Sequence, residues 1–486
     1  MMTRTSDFRL IALAALLLPL LAACGRSGPI PNLVLICIDT VRYDSFIEPG
    51  VTDALDPWLA NAQIYDNAMS AAPWTIPSVA TVLTGLYPAE HGAGRFEGAT
   101  ADLSHEPPSP LAADNNTLAE VLRAQGIRTG AFFSHPFFRE KLGLEQGFEV
   151  LRQRKGWDQD VEQFWRWKDT LDPDQRFFAY LHFMEAHDFH LKNRAILFER
   201  LDELDEPTKK AVRARSNPAI CEDSDALRCL RHEAYNATVL QLRDALASLL
   251  QELERRDLLE RTVVVVYSDH GEAFWEHAAE EEAAGEDPRG WFGFGHGHSM
   301  YQELLHVPLV VWHPDWPGTR YSGLVSLVDV MPSVLNWLGA GSVPGGASGQ
   351  LLPTPGRRDA PETDRAVFAS GIAYGPEKIA ARTGDLKSIY TPREQRFEYF
   401  DLSTDPGEHS PVTGNALTMQ FDTLTGDYQD RYRDSKVTAG SYSPQQLESL
   451  QAIGYLQGAS PDPGKETETI TSPPAGPNPD QEEKHP

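Results

Sequence analysis

The stretch "NLVLICID", residues 32–39, runs apolar from Leu33 to Ile38 and then stops on a carboxylate, Asp39. An unbroken apolar run of this length, without polar alternation, fits a strand covered on both faces, as in a parallel sheet. The pattern recurs at "RTGAFFS" (128–134), "RFFAYLHF" (176–183), "RTVVVVYS" (261–268) and "VPLVVW" (307–312). Helical patterns lie between these runs. "TLAEVLRAQG" (117–126) sets Leu118, Val121 and Leu122 on one face before a glycine stop, and "YNATVLQLRDALASLLQELERRDLL" (235–259) is long and amphipathic. The alternation predicts an α/β fold, a mostly parallel sheet with helices on both faces. In such sheets ligands bind beyond the carboxyl ends of the strands. The polar residues that follow each run are therefore the candidates for chemistry.

"LVSLVDVMPSVLNWLGA" (324–340) reads as the last strand-to-helix unit, which sets the expected α/β domain at 24–340. A Gly- and Pro-rich excursion fills 341–364. Beyond it "RAVFAS", "LKSIYT" and "FEYFDL" predict short strands of a small C-terminal antiparallel subdomain, placed within 341–457. Residues 458–486 have almost no apolar content and are expected to be disordered. At the other end, Arg4 and Arg9 precede the apolar run Leu10–Ala23, which is too short to span a membrane and contains Pro19. Residues 1–23 read as an export signal. Leu21-Ala22-Ala23-Cys24-Gly25 resembles a bacterial lipobox, in which Cys24 is lipidated. The expectation is an exported protein, lipid-anchored to a bacterial membrane in the periplasm or at the cell surface. An ordinary cleaved signal with Cys24 incidental is the alternative.

The net charge of -27 over 486 residues argues against a nucleic-acid partner. It also requires a locally positive pocket for any anionic substrate. Cys37 falls in an apolar run and reads as a small core residue. Cys221 and Cys229 flank a polar segment and either pair as a local disulfide or remain free thiols.

Asp39 ends one predicted strand, and Asp269 with His270 ends another, followed by Gly271, where the backbone can turn sharply. Two carboxylates and an imidazole from two strand ends can converge on one cation. Taken singly, each such Asp reads better as a helix cap; the convergence of three such groups with Thr75 shifts the reading toward a cation site. In "APWTIPSVATVLTGLYP" (72–88), Thr75 precedes Pro77, a good first-turn residue, and the helix can run to Thr84-Gly85. A hydroxyl at that helix start, beside a metal, can be deprotonated and attack phosphorus or sulfur. The plainer reading of Thr75 is an N-terminal cap. His187 follows "RFFAYLHF", and "GFGHGHSMYQE" (293–303) places His296 and His298 just before another strand. Imidazoles so placed can donate to ester oxygens or protonate a leaving group. Arg42, close after Asp39, is either a source of positive charge for substrate or a surface ion-pair partner.

"PNLVLICIDTVRYD" resembles the opening of the sulfatase family of the alkaline-phosphatase superfamily, and "TIPSVATVLTG" is similar to its signature Cys/Ser-x-Pro-Ser-Arg-x-x-x-Leu-Thr-Gly. "YLHFMEAHDFH", "VVVVYSDHGEAFWEH", "GHGHSMYQELLHVPLVVWHP" and "FEYFDLSTDPGEHS" recur in that family in the same order, so the likeness spans about residues 31 to 456. The departures are specific. Family members convert the signature Cys or Ser to formylglycine, and Thr75 stands there. The signature Arg is Val79, the paired Asp residues after the first strand are Ile38-Asp39, and the later Asp-Asn is Asp269-His270. Thr with Asp, Asp and His resembles instead the superfamily's phosphodiesterases and phosphoglycerol or phosphoethanolamine transferases. Those with two metals carry an Asp-x-x-x-His that "HFMEAHDFH" lacks, which implies one metal.

The resemblance implies a metal-dependent hydrolase or transferase of monoanionic phosphoesters or phosphonates, acting through a covalent Thr75 intermediate. Asp39, Thr75, Asp269 and His270 would bind one divalent ion, zinc or manganese rather than calcium because of the imidazole. His187 and His296 would act on the transferring group, with His298 and Arg42 on substrate. The substrate would be a small-molecule, glycan-linked or lipid-linked anionic ester. Two alternatives stand beside this reading: a sulfuric ester hydrolase in the strict sense, and a non-catalytic lipoprotein that keeps the fold as a binding module.

Overall fold

The computed structural model describes residues 32–96, 100–138, 142–187, 189, 201–202, 205–215, 226–356, 365–413 and 415–434. The export signal, Cys24, Cys221 with its pairing to Cys229, the end of the C-terminal subdomain and the 458–486 tail lie outside the described residues.

An eight-stranded sheet forms the centre. Its strands are β1 (Asn32–Ile38), β2 (Gln63–Met69), β4 (Arg128–Phe133), β5 (Val150–Gln153), β6 (Phe177–Phe183), β7 (Thr262–Tyr267), β10 (Leu309–Trp312) and β11 (Thr319–Ser326). The spatial order is β11-β2-β10-β7-β1-β6-β4-β5. β7, β1, β6, β4 and β5 are parallel, and β11 is parallel to β2. Only β10 runs antiparallel to its neighbours. The mostly parallel sheet is the one the apolar runs predict.

Those runs are unbroken because both faces are covered. Leu33, Leu35 and Cys37 of β1 enter the core on one side, and Val34, Ile36 and Ile38 enter the core on the other. Each such side chain contributes about 1.5–3 kcal/mol by leaving water. Cys37 is a buried free thiol within that core, as its surroundings in sequence suggest. The long helix is Ala226–Arg255, starting earlier than its apolar pattern indicates. Residues 118–124 form the other expected helix, closed by a capping box between Thr117 and Glu120.

A separate four-stranded antiparallel sheet follows: β12 (Ala366–Ala369), β14 (Ile379–Thr383), β15 (Leu386–Thr391) and β16 (Arg396–Asp401). Two small ladders tie loops together, β3 (Thr100–Asp102) with β13 (Tyr374–Pro376), and β8 (Ala273–Phe274) with β9 (Phe294–Gly295). Among the described residues no helix is long and apolar enough to cross a membrane.

Candidate active site

The parallel register brings several strand ends to one edge. Cys37 of β1 pairs with His182 of β6 and with Tyr267 of β7, and Phe133 of β4 pairs with His182. Asp39, His135 and Asp269 therefore leave the sheet side by side. Directly after Asp39, Thr40 adopts φ 60. That left-handed conformation is costly for a β-branched residue and persists only where neighbours impose it. Here the Tyr235 hydroxyl donates to the Thr40 carbonyl at 2.8 Å, and Val41 N–H donates to Ser268 Oγ at 2.8 Å.

Thr75 is the first residue of the helix Thr75–Thr84, every residue of which is buried. The N-cap is Trp74, not Thr75, and no side chain caps the helix. The capping reading of Thr75 fails on that geometry: its Oγ1 lies 3.3 Å from His270 Nε2. Ser78 Oγ, one turn on, donates to the Asp269 carbonyl at 2.6 Å and fastens the helix to the end of β7. Gly271 does not need a left-handed turn. A Cβ there would sit 1.9 Å from the Glu303 carbonyl oxygen, so close backbone approach requires glycine.

His270 Nε2 lies 3.5 Å from Asp39 Oδ1 and 3.5 Å from Asp269 Oδ2. Its Nδ1 is 2.9 Å from the Gly271 carbonyl, which can only accept. The proton therefore sits on Nδ1, and Nε2 turns a lone pair to the carboxylates. Asp39 Oδ1 and Asp269 Oδ2 are buried without a hydrogen bond. Burial pushes the Asp269 carboxyl up, and the Asp39 charge adds to that. Burial acts the same way on Asp39, but the His182 hydrogen bond and the nearby His187 and His135 hold it well below the usual range. Two buried carboxylates, an imidazole lone pair and a hydroxyl, with the ligating atoms of Asp39, Asp269 and His270 within 4.8 Å of one another, fit a divalent cation.

His187 and His296 flank this group. Their rings are 5.1 Å apart, and the His296 ring is 4.6 Å from that of His270. Glu272 orients His296 through Nδ1 at 3.0 Å, and burial raises the Glu272 carboxyl to about 8.

His298 and Arg42 go elsewhere. His298 Nε2 meets Glu281 at 3.2 Å, and this charge raises its pKa against the effect of burial. It lines a separate recess with Glu286, Asp287, Lys378 and Arg396. Arg42 pairs with Glu276 at 2.5 Å and with Asp44 at 3.0 Å, the ion-pair half of its two readings.

Three neighbours escaped the sequence reading. His182 Nε2 lies 3.1 Å from Asp39 Oδ2, and His135 Nε2 lies 3.4 Å from the same oxygen. Glu272 is the third. His135 stands just past a predicted strand, so the rule that found Asp39 could have found it. His182 lies inside a strand, where nothing in the sequence distinguishes it from a core residue.

A family model described as Sulfatase matches residues 31–340. The arylsulfatase of Clostridium perfringens (strain 13 / Type A) is 23% identical over 465 residues, covering 78% of this chain and 89% of that protein. The N-acetylglucosamine-6-O-sulfatase of Bacteroides thetaiotaomicron is 26% identical over 223 residues, 42% of this chain; the match spans only 37% of that relative. Among solved structures, the phosphonate monoester hydrolase of Agrobacterium radiobacter superposes with a TM-score of 0.57 at 17% identity. It covers 83% of this chain and 95% of the other, a likeness of fold.

Proposed function

Since the chain belongs to the sulfatase family, we propose that it is a metal-dependent hydrolase of monoanionic esters, and that sulfate esters are its first substrate class. The relatives named as sulfatases favour this over the phosphoester reading drawn from Thr75 with Asp39, Asp269 and His270. The carrying observation is the uncapped Thr75 hydroxyl, 3.3 Å from the imidazole of the Asp39–Asp269–His270 group. Asp39, Asp269, His270 and Thr75 Oγ1 would hold a divalent ion, which would supply Lewis acidity and lower the pKa of the hydroxyl. Thr75 Oγ1 gives up its proton to solvent and attacks the central sulfur; the new S–O bond forms as the bond to the departing alcohol oxygen breaks. His187 and His296 bind the ester oxygens, and one of them, entering protonated, gives its proton to that leaving oxygen and regains one from the water of the next step, with Glu272 fixing the His296 ring. Water then cleaves the Thr75 ester; an alcohol in its place makes the same site a transferase. Anchoring through a lipidated Cys24 belongs to the same proposal and suits a glycan-linked or lipid-linked substrate outside the cytoplasm.

A second reading keeps the site and changes the central atom to phosphorus. It is favoured by Thr75 standing at the position that the resemblance assigns to the signature Cys or Ser, and by the fold shared with a phosphonate monoester hydrolase. The full chain, purified in detergent with manganese, is assayed on aryl sulfates, aryl phosphodiesters and phosphonate monoesters, with peptide mass analysis of trapped intermediates. Aryl sulfate turnover above the others, with a sulfo adduct on Thr75, is expected. Faster phosphoester turnover moves the assignment to the second reading. A chain that binds no metal and turns over nothing, yet still binds a polymer or partner, supports the binding module.

A further inference from the structure

Asp39 has two oxygens with different surroundings. Oδ1 lies toward His270, at 3.5 Å, and has no hydrogen bond. Oδ2 accepts from His182 at 3.1 Å and has His135 Nε2 at 3.4 Å. Asp39, His135 and His182 are compact enough to form a second cation-binding set. The positions of the protons argue otherwise. Phe137 N–H donates to His135 Nδ1 at 3.1 Å, so the neutral ring carries its proton on Nε2, next to Oδ2. An ionised Asp39 can only accept, so His182 Nε2 also carries a proton. Its Nδ1 must then accept from the Tyr180 hydroxyl, 2.9 Å away, and Tyr180 in turn can accept from Tyr267 at 3.3 Å. All four groups are buried.

We infer that His182, directed by Tyr180 and Tyr267 and assisted by His135, is a positioning residue that pins Oδ2 of Asp39 and presents Oδ1 alone to a single cation. The inference rests on the reading that Asp39, Asp269 and His270 hold a metal. With one oxygen committed, Asp39 cannot swing into bidentate chelation, and the ion stays beside Thr75. Among the described residues no lysine or arginine pairs with Asp39, Asp269 or Thr75, and the side chains at ion-pair distance from the Asp39 carboxylate are imidazoles.

The test titrates the metal-stripped full chain with manganese and reads affinity and stoichiometry by calorimetry. The parent is expected to take up one ion. His182→Phe keeps ring volume, removes the donor and should weaken manganese binding by roughly tenfold or more, as loss of outer-shell support commonly does. His182→Gln, which restores an N–H near the Nε2 position, should recover most of that loss, whereas a packing defect would persist. Tyr180→Phe removes the directing hydroxyl with little change of shape and should weaken binding by about threefold or more. If His182→Phe does not fold, Tyr180→Phe decides. Unchanged affinity in the folded variants overturns the inference. So does a parent that binds two ions and loses one in His182→Phe, because His182 is then a ligand. A parent that binds no manganese removes the metal reading itself, and this inference with it.

Discussion

At the ends of β1 and β7, Asp39 and Asp269 each keep a buried carboxylate oxygen without a hydrogen bond. Glu408 and Glu303 are buried too, and Glu408 Oε1 likewise lacks a hydrogen bond, but each of these carboxylates faces a cation or an imidazole at ion-pair distance. Lys387 Nζ lies 2.7 Å from Glu408 Oε1, and Gln302 N–H donates to Glu408 Oε2 at 2.6 Å. His277 Nδ1 lies 2.8 Å from Glu303 Oε1, and that partner, against the pull of burial, raises its pKa to about 9. The second cluster is electrically complete. It welds β15 and the turn after β16 to the segment Gln302–Leu305. It also backs the site directly, since the Glu303 carbonyl is the atom that forces glycine at 271. One set of buried charge ties β15 and the loop after β16 to Gln302–Leu305; the other has no lysine or arginine partner among the described residues. The contrast separates groups whose loss should damage chemistry from groups whose loss should damage folding.

The largest effect is expected at Thr75. Thr75→Ala should lower turnover by about a thousandfold, roughly 4 kcal/mol of transition-state stabilisation, because the nucleophile is gone. Thr75→Ser should keep part of the activity. Since Trp74, not Thr75, is the N-cap, the melting temperature of the alanine variant should stay close to the parent's. Thermal melts run beside turnover assays check both halves. A destabilised alanine variant with normal turnover per folded molecule would put Thr75 in the structural class and erase the contrast.

The reverse is expected at Lys387. Lys387→Met leaves Glu408 buried without its cation and should cost about 3 kcal/mol of stability. Urea unfolding measures this, and turnover per folded molecule should change little. A loss of manganese affinity larger than the loss of stability would show that the two clusters are coupled through Glu303 and Gly271.

How much of this was legible depended on burial. β1, β4, β6, β7 and β10 were readable because both of their faces are covered, which forces apolar runs. β2 ("QIYDNAM") and β14 ("IAART") carry polar residues through the strand and gave no such signal. Asp39, Thr75, Asp269, His270, His187 and His296 were found because each borders a strand or opens a helix, and the structure gathers them. His298 and Arg42 satisfied the same positional rule, but Glu281 and Glu276 claim them, partners that only the tertiary fold brings near. The Lys387–Glu408 pair joins a strand to a loop, and sequence offers no reason to match them.

The smallest effect is the sharpest test of the contrast, because its sign differs between the clusters. Asp269 and Asp39 are both buried, and the charge of Asp39 raises the Asp269 pKa. Without a cation, burial and the Asp39 charge raise the Asp269 carboxyl, so ionised Asp269 destabilises the fold that holds it, whereas the imidazoles around Asp39 offset that cost there. Asp269→Asn removes one charge at nearly constant shape. The metal-stripped variant should therefore be more stable than the metal-stripped parent, by on the order of 1 kcal/mol, the size typical of relieving a strained functional site. The same substitution should abolish the stabilisation that added manganese gives the parent, since a ligand that binds only the folded state raises its stability in proportion to its affinity. Glu408→Gln, at the complete cluster, should lose stability with or without metal, because Lys387 is left buried without its partner. Urea melts of the three proteins, with chelator and with manganese, read all of these signs together. If Asp269→Asn destabilises the metal-stripped chain as Glu408→Gln does, Asp269 is part of the structural frame. The incomplete pair at the ends of β1 and β7 would then not be a site waiting for a cation.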